Sequence, residues 1–560
     1  MEVSRVVSAA PPSSANIARH LPQMAARQPT VPALKVPRGR HGDGRIDYLT
    51  LTFAELESEA ARWQATLTAA GVGQGDRVLV MVKPGLPLIA SVFALFALGA
   101  VPVVIDPGMG LPSFLNCVRQ TRPRALLGIP LARLISRLAR RAFASVEIRV
   151  AASGSPTARC PDHGSDGRLA VADSAPDELA AILFTSGSTG APKGVCYEHG
   201  MFDAQVELIR TAFGIELGEV DLPMLPIFAL FNPALGMTTV VPEINPSRPA
   251  QVDPARIVQA IQQEQITNSF GSPTLWLKIA RHAQAEGIAL PSLRRVLSAG
   301  APVPPELWEL MTTLLPHGTL HSPYGATEAL PVSAIAAPLV LAETAAATLR
   351  GAGTCVGEII APNQVKIIAL TDDPITQLVD ATELTAGEIG EIIVAGPSVT
   401  KAYDANPAAT ARAKISAGDM TWHRMGDCGY LDAQGHLWFC GRAAERVETA
   451  AGPRFTEQVE PCFNTHPAVC RTALIGLGDR PRQTPALVVE TRHPGNPAGL
   501  VAELRELARD LPQAVDIDTF FFHPGFPVDV RHNAKIHRLK LARWAATKGR
   551  AVRHPAAATS

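Results

Sequence analysis

The sequence predicts an α/β protein with a large N-terminal domain and a smaller C-terminal domain. The chain has 560 residues, more than one domain usually holds. Short apolar segments alternate with helical patterns over 77–129 and again over 255–298, as expected for parallel strands covered by helices on both faces. A smaller α/β pattern restarts after residue 449. A more β-like passage over 357–396 predicts a β-subdomain beside the parallel and mixed sheets of the large domain.

Composition excludes several classes of function. The formal net charge is zero, 18% of residues are charged and 47% are hydrophobic, so there is no basic surplus for nucleic acid. The eight cysteines are scattered and none form a CxxC pair, which predicts reduced thiols. Residues 1–14 lack the apolar core of a signal peptide. We therefore expect a cytoplasmic enzyme with no nucleic-acid partner.

Local signals define the first elements. Residues 1–45 are rich in Pro, Ala, Ser and Arg and predict a flexible lead-in with a short helix near 17–26. Thr52 and Glu55 have the spacing of a capping box and predict a helix that ends at Ala69. The apolar run 86–105 is long enough to cross a membrane, but its Pro and Gly residues favour a buried helix followed by a buried strand.

These patterns divide the chain into four parts: a lead-in (1–45), an N-terminal domain (46–442), a C-terminal domain (443–548) and a tail (549–560). The C-terminal domain is expected to be a mobile α+β unit.

The segment 185–194 carries the strongest chemical signal. It follows an apolar run typical of a buried strand, and it holds four hydroxyl residues, three glycines and Lys193 within ten positions. Glycine lets backbone N–H groups approach an anion, and a lysine adds a compact positive charge. The segment predicts a phosphate-binding loop that is not a Walker A loop, because Lys193 lies between Pro192 and Gly194. A flexible Ser/Gly linker is the alternative.

Further motifs follow the loop in order. Gly-rich turns come after short predicted strands at 298–302 and 321–328, at the sheet edge where α/β folds bind ligands. Gly426-Asp427, Gly441-Arg442 and a C-terminal lysine, Lys535, complete the series.

This ordered set resembles the adenylate-forming superfamily of acyl-CoA ligases, peptide-synthetase adenylation domains and luciferases, over residues 50–545. The resemblance implies ATP-dependent activation of a carboxylate, with Mg²⁺ as the metal cofactor. It implies that Glu328 holds the metal, Thr327 contacts the α-phosphate, Lys193 supports the departing pyrophosphate, and Lys535 reaches in from the small domain. The nucleotide would be bound by Thr185, Ser186, Gly187, Ser188, Thr189, Gly190, Lys193, Gly300, Ala301, Pro302, Tyr324, Gly325, Thr327, Asp427, Arg442 and Lys535.

The chain departs from the superfamily's ligases in its second half. The hinge position, usually Asp, is Ala444, and the usual Lys-x-x-Gly beyond it is replaced by residues 448–451. The residue before the final lysine is Ala534 instead of Gly, and the segment 226–231 lacks the usual His. These changes leave the residues for adenylation in place. They put in doubt the second half of the ligase reaction, in which CoA accepts the acyl group.

The segments 441–449 and 530–536 look similar to the OleC-type β-lactone synthetases of bacterial olefin biosynthesis. That resemblance implies adenylation of a long-chain 2-alkyl-3-hydroxy acid, followed by attack of its own β-hydroxyl. It also implies association with a lactone decarboxylase and a reductase of the same pathway. The apolar segment 228–237 could line an alkyl tunnel or form an ordinary core helix.

Alternatives remain open at this stage. The chain could be a long-chain acyl-CoA or acyl-AMP ligase, or a non-catalytic nucleotide-binding scaffold. Glu328 could cap a helix, Asp427 could lie in an ordinary turn, and Lys535 could be a solvated charge. His199 and His321 lie near the motifs, and neither is assigned as the base for the β-hydroxyl.

Overall fold

A computed structural model describes residues 14–152, 167–185, 191–245, 251–492, 496–528 and 535–553. The predicted loop residues 186–190 and the segment 529–534 lie outside the described residues. Four sheets organise the described chain, with fourteen, six, two and four strands.

The N-terminal segment is part of the core, so the prediction of a flexible lead-in is wrong for the described residues 14–45. Its elements are α1 (His20–Arg27), β1 (Pro32–Arg40), β2 (Ile46–Thr52) and α2 (Phe53–Ala69). Strand β1 pairs with β2, and Leu21 is fully buried. The predicted capping box is present, since Thr52 and Glu55 bond to each other's backbone N–H groups.

The six-stranded sheet confirms the predicted alternation of strands and helices. It contains β3 (Arg77–Met81), α3 (Leu86–Ala97), β4 (Val101–Val104), α4 (Leu111–Thr121), β5 (Ala125–Gly128), α5 (Pro130–Leu138), β6 (Ile148–Ala151), β7 (Leu179–Thr185) and β8 (Lys193–Glu198). The strand order is β6-β5-β3-β4-β7-β8, parallel except for the β7–β8 hairpin. Helix α3 is twelve residues long and is almost entirely buried in protein. Within the described ranges, no helix has both the length and the apolar character needed to cross a bilayer.

The largest sheet joins a parallel part to an antiparallel part. Its elements after β1 and β2 are α6 (His199–Phe213), β9 (Val220–Asp221), α7 (Asn232–Leu235), β10 (Thr238–Val240), α8 (Pro254–Glu264), β11 (Asn268–Gly271), α9 (Pro273–Ala285), β12 (Arg295–Ser298), α10 (Pro305–Leu314), β13 (Thr319–Ala326), β14 (Ala329–Ala336), α11 (Ala337–Leu339), α12 (Ala345–Leu349), β15 (Thr354–Ile359), β16 (Gln364–Ile368), β17 (Gly390–Ala395), α13 (Pro407–Ala413), β18 (Lys414–Ala417), β19 (Met420–Leu431) and β20 (Leu437–Arg442). Strands β9 to β13 are parallel neighbours, and β14 to β20 pair antiparallel as the predicted β-subdomain.

The last strand of the large sheet ends at Arg442, and the remaining elements form separate small sheets. They are β21 (Val447–Thr449), β22 (Gly452–Arg454), α14 (Thr456–Phe463), β23 (Val469–Leu477), β24 (Thr484–Thr491), α15 (Pro497–Leu507), β25 (Thr519–Phe522), α16 (Arg538–Thr547) and β26 (Ala551–Arg553). Strand β26 pairs with β25, so the predicted tail boundary at 549 is wrong for residues 551–553. The prediction failed because three residues are too few to give a strand pattern.

Candidate active site

The hairpin β7–β8 holds both ends of the predicted phosphate loop. Thr185 and Lys193 are paired residues across the hairpin, and both line a large cleft. A Cβ on Gly194 would lie 2.9 Å from the Phe184 ring, so the close packing of the hairpin requires glycine there. The structure therefore places Thr185 and Lys193 together, while Ser186, Gly187, Ser188, Thr189 and Gly190 fall outside the described residues.

The turns after β12 and along β13 form one wall of the same cleft. Gly300 has a φ of +98°, a conformation that favours glycine, and it lines the cleft with Ala301 and Pro302. Gly325 faces backbone at close range, since a Cβ there would lie 2.6 Å from the carbonyl oxygen of Ala329. These residues line the cleft together with Tyr324.

Three predicted residues meet at a buried carboxylate. The hydroxyl of Tyr324 donates a hydrogen bond to Asp427 Oδ2 at 2.6 Å, and Arg442 Nη1 lies 2.7 Å from Asp427 Oδ1 as an ion pair. Asp427 and Arg442 are partners in the β19–β20 register, so the alternative of an ordinary turn at Asp427 is wrong.

Burial and nearby positive charge act on the pKa of Asp427 in opposite directions. Burial raises the pKa of Asp427, while Arg442, the Tyr324 hydroxyl and Lys535 act in the opposite direction. Asp427 Oδ1 accepts no aligned hydrogen bond from any described residue. The partner of this oxygen is the Arg442 guanidinium, and the Asp427 side chain lines the cleft, where a carboxylate can accept hydroxyl donors such as those of a ribose.

Glu328 lies in the tight turn between β13 and β14, so the alternative that it caps a helix is wrong. Its Oε1 accepts a hydrogen bond from the Tyr403 hydroxyl at 2.8 Å, and its backbone carbonyl accepts one from the N–H of Thr400 at 2.9 Å. The preceding residue, Thr327, is fixed through its carbonyl oxygen by the hydroxyl of Tyr197. Both Thr327 and Glu328 line the cleft.

Sequence reasoning missed Tyr403 and Lys414, which join Lys193 to Glu328. Lys193 Nζ lies 4.8 Å from the centre of the Tyr403 ring, and Lys414 Nζ lies 6.0 Å from the same ring. Burial lowers the pKa of Lys414 to about 7. No recognisable motif surrounds either residue, because both act through contacts that are distant in sequence.

Lys535, the predicted C-terminal lysine, is exposed and lines the same cleft. Burial raises the pKa of Asp427, and the positive charge of Lys535 is one of the influences that oppose this rise. Next to it, Arg538 bonds to Glu460 at 2.7 and 2.6 Å and to Glu445 at 3.0 Å. This ion-pair cluster joins the end of the chain to the residues that follow Arg442.

The segment 228–237 divides between the two roles predicted for it. Phe228, Leu230, Phe231 and Ala234 line the cleft, whereas the rest, including a hydrogen-bonded Asn232, packs into the core. The cleft therefore continues from the charged cluster into an apolar passage.

A site of this kind is suited to activating a carboxylate. Donors and positive charges surround one end of the cleft, where a triphosphate would fit, and an acyl chain would fit the apolar end. Among the described residues, no three His, Cys, Asp or Glu side chains are grouped to hold a metal. A single carboxylate such as that of Glu328 is nevertheless compatible with Mg²⁺. This ion is commonly held by one or two carboxylates together with substrate phosphates.

Residues 21–404 match the family model of the AMP-binding enzymes, and the chain belongs to that family. It is 47% identical over 547 residues to the olefin beta-lactone synthetase of Xanthomonas campestris pv. campestris. The aligned residues cover 95% of this chain and 97% of that protein. The olefin beta-lactone synthetase of Stenotrophomonas maltophilia is also 47% identical, over 95% of this chain and 98% of its own length. These relatives confirm the resemblance to that branch and the expectation of an ATP-dependent acid-activating enzyme.

Solved structures confirm the predicted fold class. The amide bond synthetase McbA from Marinactinospora thermotolerans superposes with a TM-score of 0.78 at 22% identity, covering 95% of this chain and 99% of that one. The O-succinylbenzoate coenzyme A synthetase of Bacillus subtilis, in complex with AMP, superposes with a TM-score of 0.75 at 21% identity. The superposition covers 93% of this chain and 97% of that one.

Proposed function

We propose that this enzyme adenylates a long-chain 2-alkyl-3-hydroxy fatty acid and closes it to a β-lactone, releasing AMP and pyrophosphate. The observation that carries the proposal is one continuous cleft, which joins the Tyr324–Asp427–Arg442 cluster to the apolar passage at Phe228 and Phe231. The likeness to two olefin beta-lactone synthetases supports the choice of product.

In the adenylation step, the substrate carboxylate attacks the α-phosphorus of ATP and pyrophosphate leaves. Asp427 would accept the ribose hydroxyls, Thr327 would contact the α-phosphate, and Lys193 would hold the departing phosphates together with loop residues 185–190. Glu328 would hold Mg²⁺, which neutralises phosphate charge. Lys535 would approach the carboxylate and α-phosphate from the small domain, adding positive charge where the transition state becomes more negative.

In the second step, the β-hydroxyl oxygen bonds to the carbonyl carbon, and the bond from that carbon to the phosphate oxygen breaks. AMP leaves with the electron pair of that bond, and the hydroxyl proton is released to water. An intramolecular nucleophile has a large effective concentration, equivalent to roughly 7–11 kcal/mol at best, which offsets ring strain. No external thiol is required.

The region after Arg442 supports a lactone rather than a thioester. Ala444 replaces the usual hinge Asp, and its carbonyl oxygen accepts a hydrogen bond from Arg480 at 2.9 Å. Arg538 ties Glu445 to Glu460 in the same region. These contacts lie within the small domain, so the preference for a lactone rests on the replaced hinge residue Ala444 and on the altered segment 448–451.

The test is to incubate the enzyme with ATP, Mg²⁺ and a 2-alkyl-3-hydroxy acid, with and without CoA, and to measure AMP and products. Lactone and AMP should form at the same rate in both mixtures. AMP that accumulates only with CoA would identify an acyl-CoA ligase, and absence of AMP in both would favour a non-catalytic scaffold.

The proposed product also suggests partners and location. A β-lactone would be consumed by a lactone decarboxylase, and a reductase would supply the hydroxy acid. We propose that both act on the same apolar intermediates as this enzyme. The seven cysteines in the described ranges are free thiols, which supports the reducing environment of the cytoplasm.

A further inference from the structure

Helix α5 carries a row of exposed leucines. Leu131, Leu134 and Leu138 are spaced three and four residues apart, which places them on one face of the helix, here termed the Leu face. Their exposed fractions are 61%, 51% and 76%. Ala132 and Ser136 lie on another face and are 1% exposed, so they attach the helix to the protein. Single exposed leucines are common, whereas an exposed apolar row marks an interaction surface.

Four arginines flank the Leu face, two on α5 and two directly after it. They are Arg133, Arg137, Arg140 and Arg141. Among the acidic residues that the structure describes, none forms an ion pair with these arginines. By contrast, Arg124 shortly before the helix pairs with Asp76 at 2.6 Å and with Glu147 at 3.0 Å. The sequence from 107 to 146 contains no Asp or Glu, so the four arginines have no counter-charge close in sequence.

The Leu face begins at the rim of the cleft. Leu131 lines the cleft, and so do Ala132 and Ile135 of the same helix. Helix α5 follows the end of β5, and β5 and β7 run parallel in the six-stranded sheet. The helix therefore begins at the sheet edge where β7 delivers Thr185 to the site. The apolar surface is continuous from the outside of α5 into the cleft.

A bilayer that contains anionic phospholipids matches both features of α5. Leucine side chains can enter the acyl region while arginine side chains remain at the level of the phosphates. Anionic lipid also attracts basic residues that lie near its surface. An acidic protein would supply the negative charges as well, but the continuity of the Leu face with a cleft suited to acyl chains favours lipid.

We propose that α5 docks this enzyme on the surface of a membrane that contains anionic phospholipids. Leu134 and Leu138 enter the acyl chains, and the flanking arginines lie at the phosphates. The Leu131 end of the helix places the rim of the cleft at the lipid, so that an apolar acid can pass into the site without crossing water. That route rests on the function proposed above, whereas the docking rests on α5 itself.

Flotation with lipid vesicles measures the docking in the absence of ATP and of any acid. Wild type should bind phosphatidylcholine vesicles that contain about 30% phosphatidylglycerol at least about tenfold more tightly than vesicles of phosphatidylcholine alone. This preference should disappear in about 0.5 M NaCl, because salt screens the attraction between arginines and phosphates.

Two variants test the two parts of the surface. Leu134→Gln/Leu138→Gln should weaken binding to the anionic vesicles by at least about tenfold, because two apolar side chains no longer enter the lipid. Arg137→Gln/Arg140→Gln should weaken it by a similar factor and reduce its salt dependence. All four residues are exposed, so each variant should melt within about 2 °C of wild type. If the leucine variant does not fold, the arginine variant and the salt dependence of wild type decide.

Matched controls remove the same kinds of side chain elsewhere. Val379→Gln/Leu507→Gln changes two apolar residues that are 89% and 38% exposed, and Arg256→Gln/Arg509→Gln changes two exposed arginines. Both controls should bind the vesicles like wild type.

The proposal is overturned if wild type binds neither kind of vesicle, or if the controls lose as much affinity as the α5 variants. Self-association of wild type that the leucine variant abolishes, without vesicle binding, would also overturn it and assign the Leu face to a second copy of the chain. Lactone production is assayed separately by mass spectrometry. Vesicle binding without lactone would support the docking and reject the proposed function, whereas lactone without vesicle binding would reject the docking alone.

Discussion

The Tyr324 hydroxyl and Asp427 Oδ2 lie 2.6 Å apart, although 103 residues separate them in sequence. The contact joins β13 of the parallel part of the large sheet to β19 of its antiparallel part. It fixes a carboxylate that burial alone would favour in its neutral form, and so prepares Asp427 to accept hydroxyl donors.

Tyr324→Phe should weaken AMP binding, by up to about tenfold, because Asp427 loses a hydrogen bond that orients it and favours its ionised form. Isothermal titration calorimetry measures the change. Tyr430→Phe is the control, since Tyr430 stacks on Trp438 with ring centres 5.9 Å apart and does not line the cleft. Equal losses in the two variants would contradict the role given to Tyr324.

Lys535→Ala should lower pyrophosphate–ATP exchange by at least about a hundredfold, because a positive charge is lost where negative charge develops. The melting temperature should stay within about 2 °C of wild type, since Lys535 is exposed. Lys548→Ala, another exposed lysine of the small domain, should retain full exchange. Undiminished exchange in Lys535→Ala would reject the assigned role.

His199 should make the protein less stable in mild acid. Its Nδ1 accepts a hydrogen bond from the N–H of Ile17 at 3.2 Å, and burial lowers its pKa to about 4 from 6.5. Between these values the unfolded chain binds a proton that the folded protein does not. The free energy of unfolding should therefore fall as pH drops from 6.5 to 4, with this residue contributing about 1.4 kcal/mol per pH unit.

Urea unfolding of His199→Gln across that pH range measures this contribution. The variant should show a shallower slope, by about one proton. His317→Gln, at an exposed histidine, should keep the wild-type slope. An unchanged slope in His199→Gln would show that His199 is protonated in the folded protein.

Arg538→Met should destabilise the small domain by about 3–5 kcal/mol, because it leaves Glu445 and Glu460 buried without their partner. Chemical denaturation measures the loss. Arg509→Met removes the exposed pair with Glu506 and should cost less than about 0.5 kcal/mol. A similar loss of unfolding free energy in both variants would contradict the claim that the buried ion pairs of Arg538 contribute more than an exposed pair.

Local signals in the sequence were enough to predict the elements that depend on neighbouring residues. The Thr52 capping box and strands β3, β4, β5 and β7 are examples, because their caps and apolar runs are continuous in sequence. Strand β1 was missed because its Pro, Arg and Gly residues have weak strand propensity. Pairing forms it instead, with β2, which follows it directly, and with β10, about 200 residues away.

The candidate site shows the same division. Asp427, Arg442 and Glu328 could be predicted because each lies in a short motif. Tyr403 could not, since its links to the site are a hydrogen bond to Glu328 across 75 residues and the contact of its ring with Lys193.

The most direct test of the central claim follows oxygen through the reaction. The substrate is a 2-alkyl-3-hydroxy acid with ¹⁸O in both carboxylate oxygens, supplied with ATP and Mg²⁺ and no CoA. Adenylation followed by attack of the β-hydroxyl predicts one ¹⁸O in AMP and one in the carbonyl of the lactone. Lactone that keeps both labels while AMP has none would mean that the hydroxyl was activated instead. Either that result or the absence of lactone would contradict the account.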